Sequence, residues 1–149
     1  MEKKNGISTE TERRETIALL EERQCSCVIR KGDAVRFFYR RGIRDLYDLL
    51  SCEAEALDGA FVADKVVGKG AAALMILGGV SGVYARVASR SALELFEKAG
   101  VEVQCAAVVP HIIDRAGTGM CPVERRCADS DTPQQCLAQI EEFLKTAGV

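Results

Sequence analysis

The stretch GTGMCPVE, residues 117–124, gathers a thiol, a hydroxyl, a carboxyl and two glycines around a helix start. Cys121 takes the cap position, Pro122 the first helical position and Glu124 the third after the cap, the grammar of a capping box. Cysteine is not among the preferred caps. A sulfur at that place lies over the positive end of a helix, which lowers a thiol pKa and produces a thiolate. The chemistry on offer is nucleophilic, with Cys121 as the nucleophile of a hydrolase or transferase and Glu124, Asp64 or Lys69 as acid or base. Gly117 and Gly119 let a ligand approach the backbone, and Thr118 offers a hydroxyl. His111, the chain's one histidine, is the natural partner base, but no Cys–His–Asn/Asp spacing can be read from it. The plain alternative is a helix cap beside a small, inert, buried thiol.

Two further junctions belong to the same argument. In ADKVVGKGAAA, residues 63–73, an apolar run ends at Asp64 and Lys65 and a helix opens at Gly68, Lys69 and Gly70. Glycine and lysine at a helix N-terminus suit an anion, because free N–H groups and the helix dipole point at it. The run is neither a P-loop nor a GxGxxG turn. The plain alternative has Asp64 capping the helix or pairing with Lys65 or Lys69. In ASRSA, residues 88–92, Ser89 or Ser91 can cap the next helix. In parallel βαβ units such junctions share one edge of the sheet, where ligands bind. The leading expectation is therefore a binder of a small anionic or nucleotide-like molecule through Asp64, Lys65, Gly68, Lys69, Ser89, Ser91, Gly117, Thr118 and Gly119. The thiol enzyme is the rival.

Metal chemistry has little footing. Seven cysteines stand at 25, 27, 52, 105, 121, 127 and 136. Neither Cys25 with Cys27 nor Cys121 with Cys127 has zinc-knuckle spacing, so no metal and no cofactor is expected. Cys25 and Cys27 alternate with Ser26 and are expected to share one face of a strand as core thiols. The odd count at irregular spacing also argues against a disulfide framework.

Charge and hydropathy narrow the partners. Net charge is −2 with a pI near 5.5, and Arg40, Arg41 and Arg44 form the one basic group. A protein that reads phosphate backbones carries far more positive charge, so nucleic acid is not an expected partner. No apolar run reaches the ~20 residues that cross a bilayer, which excludes a membrane-spanning role. The polar start MEKKNGISTETERRE lacks a signal-peptide core and points to the cytoplasm. The 149 residues suit one domain. Base rates for small soluble proteins point to a homodimer.

The elements that position these residues follow from period. Residues 8–22 read as a helix opened by the Thr9–Glu12 capping box, with Ile17, Leu19 and Leu20 as its apolar face. Residues 25–31 and 34–40 are β-rich around Gly32-Asp33, a hairpin. A short amphipathic helix spans 42–50. Then strands at 60–67, 83–88 and 101–109 alternate with helices at 68–77 and 91–99, the latter stopped by Gly100. A last helix runs from about 133 to 146. A hairpin feeding βαβ units predicts a three-layer α/β/α sandwich on a mixed sheet of about five strands.

The succession SCVIRKGD, RGIRDLYDLL, GAFVADKVVGKGAAA, GVYARVASRSALELFEKAGVEV and VPHIIDRAGTGMCPVE resembles an uncharacterised prokaryotic family, a domain of unknown function, across residues 25–126. The resemblance implies a cytidine deaminase-like fold. In that fold one helix start supplies H-x-E and the next P-C-x-x-C. Here those places resemble ADKVVGKG and ASRSA, so the resemblance implies the pocket's position while arguing against zinc-dependent deamination.

Overall fold

The computed structural model describes residues 8–40, 42–114 and 116–146. A first helix, α1 (Glu10–Glu22), opens on the expected capping box: the Thr9 hydroxyl accepts from Glu12 N, and the Glu12 carboxylate accepts from Thr9 N. Strands β1 (Cys27–Lys31) and β2 (Ala34–Phe38) form the hairpin, with Gly32 at φ 61° in its turn. Next come α2 (Arg44–Cys52), a single 3-10 turn (Ala54–Ala56) and β3 (Phe61–Val67). The pairs α3 (Lys69–Gly78) with β4 (Gly82–Ser89), and α4 (Arg90–Ala99) with β5 (Glu102–Val109), continue the alternation. Two helices close the chain, α5 (Pro122–Cys127) and α6 (Pro133–Thr146).

The five strands lie in the order β2-β1-β3-β4-β5. The hairpin joins β3 antiparallel, with Cys27 opposite Asp64, while β3, β4 and β5 run parallel. This is the expected mixed sheet with helices on both faces. On one face α1 buries Leu20 against Cys25, Val28, Phe61 and Ala63. Arg13 fastens this layer: its guanidinium lies over the Phe61 ring and bonds Glu102 at 2.7 Å. On the other face Ile29, Val62 and Val83 meet Leu46 and Leu49 of α2, Leu74 and Met75 of α3, Phe96 of α4 and Ile140 of α6. Helix α3 is apolar on nearly every side because α2, α4 and α6 surround it. Its run of small residues, Gly70 to Ala73, lets those neighbours come close.

Two local readings are corrected. The first strand starts at Cys27 rather than Cys25, because Gln24 turns the chain at φ 51°. Cys25 and Cys27 therefore do not share a face: Cys25 packs under α1 and Cys27 in the opposite core. The second concerns strand phase. Val62 and Val67 sit in the same core although five residues apart, as do Ala85 and Ala88 three apart. Strict alternation would put the members of each pair on opposite faces. Both paired strands thus change face near their carboxyl ends, which leaves Val66 44% exposed just beyond Asp64.

Candidate functional site

The carboxyl ends of the parallel strands, with the helix starts that follow them, form the edge where α/β sheets bind ligands. Here β3 delivers Asp64 to Val67 and then Gly68, the cap of α3. Strand β4 delivers Ser89, the cap of α4, and β5 leads into the segment carrying His111, Asp114 and Cys121. The antiparallel β1 starts at this edge with Cys27, and β2 ends there and leads into α2.

The anion site expected at α3 has an occupant from the chain itself. Glu124, only 4% exposed, accepts from Lys69 N through Oε1 at 2.7 Å and from Ile112 N through Oε2 at 2.7 Å. Its carboxylate thus sits on the free amide of α3's first residue, where the dipole favours negative charge. Glu124 does not close a capping box on its own helix, because the Cys121 amide donates instead to the Ile112 carbonyl at 2.8 Å. The glycines of ADKVVGKG have the same explanation. A Cβ on Gly68 would lie 3.0 Å from Glu124 Oε1, and one on Gly70 2.5 Å from Val123. They admit α5 to the start of α3. The Lys69 ammonium holds the carbonyls of Ala128, at 3.3 Å, and Ser130, at 2.5 Å, and so straps α3 to the turn between α5 and α6.

The other expected donors are likewise engaged. Ser89, fully buried, accepts from Ala92 N at 3.2 Å and is the true cap of α4; Ser91 lies 3.3 Å from it, hydroxyl to hydroxyl. In the glycine loop the Asp114 carboxylate accepts from both the amide and the hydroxyl of Thr118, each at 2.9 Å. Those bonds hold the Asp114 carboxyl below the usual carboxylate range. Gly117 supplies the positive φ of that turn, 72°. Cys121 is half-buried at the cap of a six-residue helix, and its side chain makes no capping hydrogen bond.

Asp64 differs from all of these. It is half-buried, accepts from Val66 N at 3.2 Å and lies opposite Cys27 in the antiparallel β1–β3 register. Among the described residues no lysine or arginine forms an ion pair with it. Burial without a compensating cation pushes its carboxyl up to about 7. Burial, and then the Asp64 charge, push the Cys27 thiol well up. Asp45, in the first turn of α2, adds to that field, while its own carboxylate is bound by Arg40. The structure thus sets Asp64 of β3 opposite Cys27 of β1, with the charge of Asp45 on α2 reaching Cys27. Lys65 neighbours Asp64 in sequence without pairing with it. No sequence motif marks Cys27 or Asp45 for this site; the antiparallel register opposite Asp64 brings in Cys27, and Asp45 reaches it from α2. Among the described residues no three His, Cys, Asp or Glu side chains are grouped to hold a metal ion, and no helix is long and apolar enough to cross a membrane.

A family model described as a domain of unknown function, DUF1893 (TM1506), matches residues 15–144. The chain belongs to this family. A crystal structure of a DUF1893 family protein from Thermotoga maritima is similar over 96% of this chain and 97% of that one, at TM-score 0.85 and 22% identity, a likeness of fold. Acinetobacter baumannii RibD is similar over 64% of this chain and 34% of its own, at TM-score 0.42 and 14% identity, too distant to carry an argument. No curated protein matches the sequence.

Proposed function

We propose that the chain binds a small nucleotide-like molecule at the strand-to-helix edge, with Asp64 as the anchoring carboxyl. The observation that carries this reading is the carboxyl itself: half-buried, midway along the central strand, and in no ion pair among the described residues. Such a group costs stability, and perturbed carboxyls at the ligand edge of an α/β sheet are functional candidates on physical grounds. A group that titrates near neutrality can accept from, or donate to, the amino and ring-nitrogen edge of a base. With Glu124, Ser89 and Asp114 already on the amides of Lys69, Ala92 and Thr118, recognition falls to side chains.

The thiol-enzyme reading draws less support. Both oxygens of Glu124 are committed to backbone amides, which removes it as an acid or base for Cys121. No hydrogen bond joins His111 to Cys121 among the described residues.

A thermal-shift screen of nucleosides and nucleoside monophosphates against the wild type and Asp64→Asn tests the proposal. At ligand concentrations near 100 Kd, binding contributes about 2.7 kcal/mol, a rise of roughly 5–10 °C in Tm for a chain of this length. The reading expects at least one compound to raise the wild-type Tm in this way and to raise that of Asp64→Asn by about half as much or less. A screen with no shift, or a shift undiminished by the substitution, overturns it.

A further inference from the structure

The corner between α5 and α6 holds a pair of thiols that the ligand edge does not use. Cys127 ends α5 and Cys136 lies at the start of α6, and both are fully buried. Cys127 Sγ donates to the backbone carbonyl of Cys136 at 3.9 Å, and the charge of each sulfur acts on the other. The pair lies directly behind α3: a Cβ built on Gly70 would come within 3.8 Å of Cys127 Sγ. Lys69, whose ammonium holds the carbonyls of Ala128 and Ser130, acts on both sulfurs through its charge. The other cysteines are placed differently: Cys25 and Cys27 lie on opposite faces of the sheet, and Cys52 is exposed.

We propose that Cys127 and Cys136 are a redox pair that closes to a reversible intramolecular disulfide when the protein meets a peroxide. Cys136 is the attacking sulfur, because the neighbouring Cys127 thiol and then the Lys69 charge favour its thiolate. The thiolate attacks one peroxide oxygen, the O–O bond breaks, and the departing hydroxide takes up a proton as water. Cys136 is then a sulfenic acid. The Cys127 sulfur attacks the Cys136 sulfur, the S–O bond breaks, and the hydroxyl leaves with the thiol proton as a second water. Two thiols are oxidised and one peroxide is reduced to two waters. Entry to the buried pair is through the α5 corner, a six-residue helix whose short hydrogen-bonded ladder opens more readily than the core helices.

The test reads the bond directly. Trypsin cleaves after Arg126 and Lys145, so one peptide, residues 127–145, carries both cysteines and no other. Folded protein is treated with hydrogen peroxide, denatured, alkylated and digested. The expected result is that peptide without alkylation and lighter by two hydrogens, converted by dithiothreitol to the doubly alkylated form. Cys136→Ser is expected to leave Cys127 alkylated and linked to nothing. Recovery of the doubly alkylated wild-type peptide at peroxide levels that oxidise exposed Cys52 overturns the proposal. A linkage from Cys127 or Cys136 to any other cysteine does so too. If Cys136→Ser does not fold, the wild-type peptide alone decides.

Discussion

Glu124 gives the sharpest energetic test of this fold. Its carboxylate, buried between α5 and α3, holds the amides of Lys69 and Ile112 at 2.7 Å each. A hydrogen bond to a charged group is worth about 1.5–3 kcal/mol, and a buried donor left unpaired forfeits that sum rather than the smaller net value of a neutral bond. Glu124→Ala strands two such donors and is expected to cost about 3–5 kcal/mol, in the range of other broken buried networks. For a chain of this length that is a fall of about 10 °C or more in Tm. Glu124→Gln keeps one carbonyl oxygen but turns an NH2 donor toward the second amide, so about half the loss is expected. Denaturant unfolding at constant m-value gives the free energies, and hydrogen exchange at the Lys69 and Ile112 amides locates the effect. A cost under about 1 kcal/mol for Glu124→Ala, or unchanged protection of both amides, refutes the clamp.

Further consequences follow from single contacts. Gly70→Ala places a methyl 2.5 Å from Val123 and is expected to cost about 1–3 kcal/mol through displacement of α5, measured by the same unfolding assay. Asp114→Ala is expected to speed hydrogen exchange at the Thr118 amide and leave the sheet untouched. Because the Asp114 carboxyl is held low in the folded state, its contribution is present above the ordinary carboxylate range and is lost as the pH falls through the lowered value. Asp64 has the opposite sign. Its folded pKa of about 7 lies above the ordinary 3.8, so the native state binds the extra proton and stability falls as the pH rises between those values. Asp64→Asn is therefore expected to be more stable than the wild type above about pH 7 and nearly equal to it below about pH 4, read from unfolding curves across that range.

Much of the architecture was legible because local signals agree with it. The capping box at Thr9, the glycine turn at Gly32 and the stop at Gly100 are each decided within a few residues. The alternation of strand and helix then left few topologies. The misreadings have long-range causes. Glu124 reads as a capping-box residue from its neighbours, but the donor it serves lies 55 positions away. Cys25 looks in phase with Cys27 until Gln24 turns the chain. The change of face in β3 and β4 is a property of the paired strands, invisible in either alone. Within the candidate site, Asp64 stood out, with Lys65, as the polar end of an apolar run. Its burial and its thiol neighbour depend on β1 pairing beside it, and no spacing rule encodes that.

The central claim is that Asp64 is kept for binding at some expense in stability. Calorimetric titration of the compound that shifts the wild-type Tm, against wild type and Asp64→Asn at about pH 8, tests it most directly. Loss of a charge-assisted hydrogen bond of about 1.5–3 kcal/mol predicts an affinity weakened roughly 10- to 100-fold in a variant that unfolds no earlier than the wild type. Equal affinity in the two proteins would contradict the account.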